Sequence, residues 1–314
     1  MKQYTHAWIA MMAIKRLHKA SIPTSEKKDA AALVTWFNDH RDSVIKGSWY
    51  PDAIIKDMAS SHVLKYKPGE TYTPDNFKKL PASYYLYKTG KECSLYKKSY
   101  TIESGNLADR CEALAHSVVD NLKMQESEVK GSPVSPTGNH IATIFFMLSH
   151  YIADAHMPLH CDSRQFSEGK NIHAEIEKKW DDKIRKCYSI DFDNERFFYD
   201  KEGYPYKAEG DLLIDQIENE IETRSFSSSY GPENENTWDF MSSLTQYSYL
   251  TSYLMIPQNY NENNLTWEDF INIQTGHTFD EYSKYILTDA IDSVSRIWLR
   301  VWKRYTKWKK TKEA

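Results

Sequence analysis

The sequence has few cysteines, no long uncharged run and no large excess of charge of either sign. Its four cysteines in 314 residues show neither a Cys-x-x-Cys spacing nor the density of a disulfide framework. No uncharged run approaches the roughly 18 residues of a membrane-spanning helix, so we expect no transmembrane segment. A net charge of −4 gives no reason to expect a nucleic-acid-binding protein held by a broad basic face.

The sequence also shows no internal repeat and no linker rich in glycine and proline. We therefore predict a single domain over residues 1–314, long enough to bury a substantial core, and no obligate protein partner is evident. Residues 7–14 weakly resemble the apolar part of a signal peptide but lack a small-residue cleavage site. As written, the chain is expected to be cytoplasmic, or exported if a signal peptide has been removed.

Apolar residues recur at helical spacing along most of the chain, which predicts an all-α protein. A first helix is expected with Thr5 as its N-cap, and a second over residues 25–46, capped by Ser25 and ended by Gly47. The stretch from Tyr66 to Tyr100 is predicted to be a long loop with short helical turns near residues 74–79. The other predicted helices span residues 104–130, 140–157, 172–187, 210–224, 238–255 and 278–310.

The most informative stretch is residues 150–177, which holds three histidines and two carboxylates in a compact order. His150 and Asp154 follow an apolar helical run and are spaced to share one face of that helix. Pro158 then ends or kinks the helix, and His160 lies just past the break. His173 and Glu177 repeat the four-residue spacing on a second helix.

A single His–Asp pair at this spacing is more often a surface contact or a satisfied buried pair than a metal site. Two such pairs with a further imidazole between them favour a metal site, because burying these charges without a cation would be costly. Imidazole and carboxylate ligands without thiolates suit zinc in a hydrolytic enzyme. We therefore predict a metal cluster between helices.

The sequence HYIADAHMPLH (150–160) resembles the central motif of the zinc-dependent phospholipase C family and the related fungal single-strand nucleases. That motif has His, then Asp four residues on, and ends in Gln-Pro-Leu/Met-His; here Met157 replaces the Gln, which is not a ligand position. Glu177, where the nucleases have Asp, and the short interval from His160 to His173 are more similar to the phospholipase branch.

The resemblance implies further ligands nearer the N-terminus. His6 in His6-Ala7-Trp8, Asp52 in WYPD and His62 match the expected positions, with Asp57 as a competing carboxylate. Asp181 is an alternative ligand on the later helix, and Cys161 is expected to be only a neighbour. In the family, the zinc bound by the histidine matching His6 is also held by an N-terminal Trp. This chain lacks that Trp, so either the Met1 terminus takes its place or this third metal is weakened or lost.

The resemblance implies up to three zinc ions. Asp52, His62, His150 and Asp154 would hold one, and His160, His173 and Glu177 a second with an open position for water or substrate. His6, Asp154 and the Met1 terminus would hold a third. Asp52 would also orient or deprotonate the attacking water.

The resemblance also implies the reaction. The activity expected is hydrolysis of a phospholipid-type phosphodiester, with single-stranded nucleic acid or a 3′-nucleotide as the alternative substrate. A helical binding protein with purely structural zinc is the alternative from another class.

Overall fold

The computed structural model describes residues 1–57, 60–72, 84–127, 135–164, 166, 172–228, 236–260, 265–273 and 275–313. Within these residues the chain is mainly helical, which confirms the predicted all-α fold class. The helices are α1 Gln3–Lys19, α2 Thr24–Asn38, α3 Val44–Tyr50, α4 Tyr85–Glu92, α5 Leu107–Glu126, α6 Gly138–Ala155, α7 Ile172–Cys187, α8 Leu212–Thr223, α9 Thr237–Met255, α10 Trp267–Asn272 and α11 Phe279–Glu313. In this part of the chain no helix has the length and apolar character needed to cross a membrane.

Two short antiparallel strand pairs accompany the helices. Strand β1 (Lys65–Tyr72) pairs with β2 (Tyr100–Ser104), and β3 (Ile190–Asp191) pairs with β4 (Arg196–Phe197). The predicted long loop from Tyr66 to Tyr100 is therefore wrong in part, because its two ends form a ladder and α4 lies between them. The helical turns expected near residues 74–79 lie outside the described residues.

Helix α6 lies at the centre of the fold and packs against α1, α3, α5, α9 and α11. The Thr137 side chain accepts a hydrogen bond from the backbone N–H of His140 and so caps its first turn. A helix that is apolar almost all round is stable only when it is covered on all sides. His150 and Asp154, 0 % and 2 % exposed, are therefore charged or polar side chains inside a packed core.

Helix α1 begins at Gln3, so the prediction of Thr5 as its N-cap is wrong. The free N–H groups of Tyr4 and Thr5 are instead satisfied from another helix: both donate to Asp181 Oδ1 on α7, at 3.0 Å each. A carboxylate also interacts favourably with the positive end of the helix dipole. Asp181 thus fixes the turn of α1 that carries His6.

Buried ion pairs fix the opposite end of α1. Arg16, fully buried, donates from Nε to Asp292 Oδ1 of α11 at 2.5 Å. Arg296 donates to the other oxygen of Asp292 at 2.6 Å. Removing one member of such a buried pair leaves an unpaired charge, which costs about 3–5 kcal/mol. The position of α1 is therefore strongly determined at both ends.

The predicted single helix over residues 25–46 is also wrong. α2 begins at Thr24, with Pro23 rather than Ser25 as its N-cap, and ends at Asn38. A separate helix, α3, follows and contains Gly47, the residue at which the predicted helix was expected to end. A Cβ atom on Gly47 would lie 2.9 Å from Cβ of Phe146, so this glycine allows α3 to approach α6 closely.

Candidate metal centre

The structure brings together all eight side chains predicted to be ligands. Each contributes an imidazole nitrogen or a carboxylate oxygen to one continuous series of contacts of 2.8–3.5 Å. These side chains come from six separate places in the chain. They are His6 on α1, Asp52 in the π-type turn Pro51–Ile55, His62 before β1, His150 and Asp154 on α6, His160 in the short helical turn Pro158–His160, and His173 and Glu177 on α7.

Three groups of ligand atoms within this cluster are compact enough to hold a metal ion, because their members lie within 4.8 Å of one another. We name each group by one member. The Asp52 group is His6, Asp52 and His150; the His62 group is His62, His150 and Asp154; the His160 group is His160, His173 and Glu177. Because His150 belongs to two groups, those two candidate sites are contiguous.

Hydrogen bonding alone does not account for the arrangement. Seven buried atoms of the cluster lack a hydrogen-bond partner among the described residues: Nδ1 and Nε2 of His6, Oδ1 of Asp52, Nδ1 and Nε2 of His62, Nε2 of His150 and Nδ1 of His160. They lie close to one another, but not in hydrogen-bonding geometry. Each unsatisfied buried polar atom costs about 1–3 kcal/mol. Atoms that are good metal ligands and poor hydrogen-bond partners for each other fit a cation bound between them.

The orientation of His150 is set by a backbone group. Its Nδ1 lies 2.7 Å from the carbonyl oxygen of Ser48 on α3, so Nδ1–H donates and Nε2 faces the two carboxylates. Nε2 is 3.4 Å from Asp52 Oδ1 and 3.2 Å from Asp154 Oδ2. A hydrogen bond of this kind fixes the tautomer and ring orientation of a metal-binding histidine.

The charges of the cluster are strongly coupled. Burial alone would lower the pKa of His150, but the neighbouring Asp154 and Asp52 outweigh burial and raise it to about 9. Burial alone would raise the pKa of Asp154 and Glu177, yet the Met1 ammonium and the surrounding imidazoles hold both pKa values well below the usual range. The carboxylates are therefore ionised at neutral pH and provide the negative charge that attracts a cation.

The amino group of Met1 also lies in the cluster. Its nitrogen is 2.8 Å from Asp154 Oδ1 and 2.8 Å from Glu177 Oε1, and it is buried. Burial would lower the pKa of this amine, but the two carboxylates raise it to about 11. The amine thus stands where the sequence predicted a ligand from the chain terminus.

Two of the alternative ligands have other partners. Asp181 is engaged by the first turn of α1, as described above. The Cys161 thiol points at the carbonyl oxygen of Ala155, 3.6 Å away, and burial raises its pKa to about 12, so it stays a neutral thiol. The role of the Ser48 carbonyl could not be predicted from the sequence, because every residue type has a backbone carbonyl oxygen.

The His160 group and Asp52 are the parts of the cluster nearest solvent. The side chains of His160, Glu177, His173 and Asp52 are 10 %, 10 %, 20 % and 13 % exposed, whereas those of His6 and His150 are 0 % exposed. Beside Asp52, the π-type turn and the residue before it carry solvent-exposed apolar side chains: Ile54 is 70 % exposed, and Tyr50 and Ile55 are each 37 % exposed. An apolar rim thus adjoins a polar cluster.

Comparison with solved structures supports the fold. The chain is similar to the alpha-toxin of Clostridium perfringens from an avian strain, with a TM-score of 0.51 and 16 % identity over 96 % of this chain. It covers 64 % of that structure's length. An alpha toxin from Clostridium absonum matches with a TM-score of 0.46 and 14 % identity, over 97 % of this chain and 66 % of that one.

Neither a protein-family model nor a curated protein sequence matches the chain. At such low identity the structural likeness establishes the fold alone. The resemblance seen in the motifs is confirmed at the level of the fold, which this chain shares with the alpha-toxin structure.

The pKa of His150 leads to a prediction about metal binding. Its imidazole is protonated at pH 7 and must lose that proton before Nε2 can bind a metal ion. Zinc binding at pH 7 should therefore release protons, and displacement of the His150 proton should raise the apparent affinity by about tenfold per pH unit up to about pH 9. Calorimetric titrations in two buffers with different heats of ionisation measure the release, and zinc binding without proton release would contradict the assignment.

Proposed function

We propose that the protein is a zinc-dependent phosphodiester hydrolase of the phospholipase C type. The observation that carries the proposal is the cluster itself. Eight imidazole and carboxylate side chains from six parts of the chain converge inside the core, and several of their buried atoms lack hydrogen-bond partners. The fold shared with the alpha-toxin structure supports the same conclusion.

The residues fit zinc in ligand type and in number. In this proposal the Asp52 and His62 groups, which share His150, would each hold an ion, the His160 group would hold another, and the Met1 amine beside Asp154 and Glu177 would add a ligand. Zinc at such sites supplies a nucleophile at neutral pH and neutralises charge on the phosphoryl oxygens. Asp52 is positioned to orient a water molecule, because its Oδ1 lacks a hydrogen-bond partner among the described residues and its pKa is held low by His150 and His62 despite burial.

The exposure of the His160 group favours an enzyme over a purely structural metal site. Structural zinc sites are typically closed by four protein ligands, whereas catalytic sites have three and keep one position open. The His160 group offers three ligands from side chains, and each of these side chains is partly exposed to solvent. A substrate phosphate would approach from this side.

The apolar rim favours a phospholipid over a nucleic acid as the substrate. Tyr50, Ile54 and Ile55 stand next to Asp52 and would contact the apolar part of a lipid ester. The net charge of −4 offers no broad basic surface for a polynucleotide. Glu177 and the short interval from His160 to His173 are consistent with this choice.

Two substitutions on α6 test the metal centre. His150→Ala and Asp154→Ala should each lower the zinc content and abolish hydrolysis of a phosphodiester, because each residue belongs to more than one proposed zinc site. Metal analysis by mass spectrometry and an assay with a phosphocholine ester measure both effects. His140→Ala, an exposed histidine at the start of the same helix, is the matched control and should leave both unchanged. Full activity in a variant without bound metal would refute the proposal.

The substrate is tested with the wild-type protein and Ile54→Ser. The wild type should hydrolyse a soluble short-chain phosphocholine ester and phosphatidylcholine vesicles, but not single-stranded DNA or a 3′-nucleotide. Ile54→Ser should lower the rate on vesicles several-fold and leave the rate on the soluble ester nearly unchanged, because the exposed side chain touches only the lipid. Preferential cleavage of DNA would select the nuclease alternative instead.

The contribution of Met1 is tested by extending the chain. In the proposal the Met1 amine binds zinc beside Asp154 and Glu177, so two glycine residues added before Met1 should reduce the zinc content by up to one ion and slow hydrolysis. The same two residues added after Ala314 provide the control. An N-terminally extended protein with the full zinc content would show that the amine is not a ligand.

A further inference from the structure

The imidazole of His62 lies between two carboxylates. Its Nε2 is 3.0 Å from Asp52 Oδ1, and its Nδ1 is 3.1 Å from Asp57 Oδ1. The side chain of His62 is only 2 % exposed, so neither nitrogen is freely solvated. The two carboxylates therefore act on opposite sides of one ring.

The two sides of the ring differ in their surroundings. Nε2 points toward the metal cluster, where Asp52 is also 3.4 Å from His150. Nδ1 points away from it, toward Asp57. A neutral imidazole carries a hydrogen on one nitrogen and a lone pair on the other, so an acceptor at Nδ1 leaves the lone pair of Nε2 for a metal ion.

Asp57 is held in place by a hydrogen-bonding hydroxyl and a nearby cation. The Tyr151 hydroxyl, on α6 next to His150, lies 3.0 Å from each of the two Asp57 oxygens. Arg110 Nε is 3.6 Å from Asp57 Oδ2, and its guanidinium lies 5.4 Å from the centre of the Tyr151 ring. The carboxylate is thus fixed by α5 and α6, independently of any metal.

Backbone hydrogen bonds to Asp57 support the same arrangement. The N–H groups of Ser60 and Ser61 both donate to the Asp57 carbonyl oxygen, at 3.2 and 3.0 Å. These bonds keep the two residues that precede His62 close to Asp57. The ring of Tyr151 also packs against that of His62, with centres 4.8 Å apart.

We propose that Asp57 is a positioning residue that orients His62 for metal binding, and not itself a ligand. Its carboxylate lies 3.1 Å from Nδ1 of His62, outside hydrogen-bonding geometry, and would favour Nε2 as the nitrogen that faces the cluster, as the Ser48 carbonyl does at His150 through a hydrogen bond. As a carboxylate, it would also make the imidazole a stronger ligand. Removing such a supporting partner typically lowers metal affinity by about 10- to 100-fold. The inference rests on the proposed function, because it presupposes that a metal ion binds at His62.

The experiment compares metal binding by the wild type, Asp57→Asn, Asp52→Asn and Tyr151→Phe. Asp120→Asn, on the exposed face of α5, is the control. Zn²⁺ affinity is measured by competition with a chelator, and Co²⁺ absorption spectra report the surroundings of the bound ion. Thermal unfolding of each metal-free variant shows whether its fold is intact.

Asp57→Asn should retain the full number of metal ions, bind the weakest of them about 10- to 100-fold less tightly and change the Co²⁺ spectrum. Tyr151→Phe should weaken binding several-fold in the same direction, because the carboxylate remains but is less firmly held. A purely structural role for Asp57 would alter the unfolding temperature without altering the spectrum.

Several outcomes would overturn the inference. Wild-type affinity and spectrum in Asp57→Asn would show that Asp57 does not act on His62. Loss of a whole metal ion, as expected for Asp52→Asn, would make Asp57 a ligand. If Asp57→Asn does not fold, Tyr151→Phe decides: weaker binding supports the inference, and unchanged binding overturns it. A wild-type protein that binds no metal would refute the proposed function itself, and this inference with it.

Discussion

The structure depends on one electrostatic constraint, which is that ionised carboxylates inside an apolar core need positive charge close to them. Asp154 is 2 % exposed and fully enclosed by α6 and its neighbours. An unpaired carboxylate in such a place would cost several kcal/mol, or would take up a proton. Here its pKa is instead held low by the Met1 ammonium and three histidines. The cluster thus attracts positive charge even without a metal ion, and the same feature makes it a candidate metal site.

The rest of the fold serves to bring distant parts of the chain to this point. α1 is fixed near its start by Asp181 and toward its end by Asp292, so His6 has little freedom to move away. α3 approaches α6 closely because Gly47 has no side chain, and this contact sets the Ser48 carbonyl against His150. At the other side, Tyr66 of β1 donates its N–H to the Cys161 carbonyl and holds the turn that carries His160. Rigid packing around the cluster, rather than the ligands alone, defines its geometry.

Much of this was predictable from sequence, and for identifiable reasons. His150 and Asp154, like His173 and Glu177, are four residues apart on a helix, so periodicity alone places each pair on one face. His6, Asp52 and His62 could be proposed only from the resemblance, since nothing local to them marks a ligand. The start of α1 was misplaced because its first N–H groups are satisfied by a tertiary contact: Asp181, which accepts from Thr5, is distant from it in sequence. Gly47 was misread because its role lies in a contact with Phe146, which a local pattern does not contain.

Five aspartates in this structure show that residue type alone does not decide function. Asp181 accepts through Oδ1 from backbone N–H groups of α1, and both oxygens of Asp292 accept from arginines. Asp57 is held by Tyr151 and faces only the outer nitrogen of His62. Asp52 and Asp154 alone face several imidazoles at once, and Asp52 has an oxygen without a hydrogen-bond partner. A carboxylate whose neighbours are themselves metal ligands is a candidate ligand, whereas one whose neighbours are hydrogen-bond donors supports the site from outside. The division between ligands and supporting residues depends on this physical distinction.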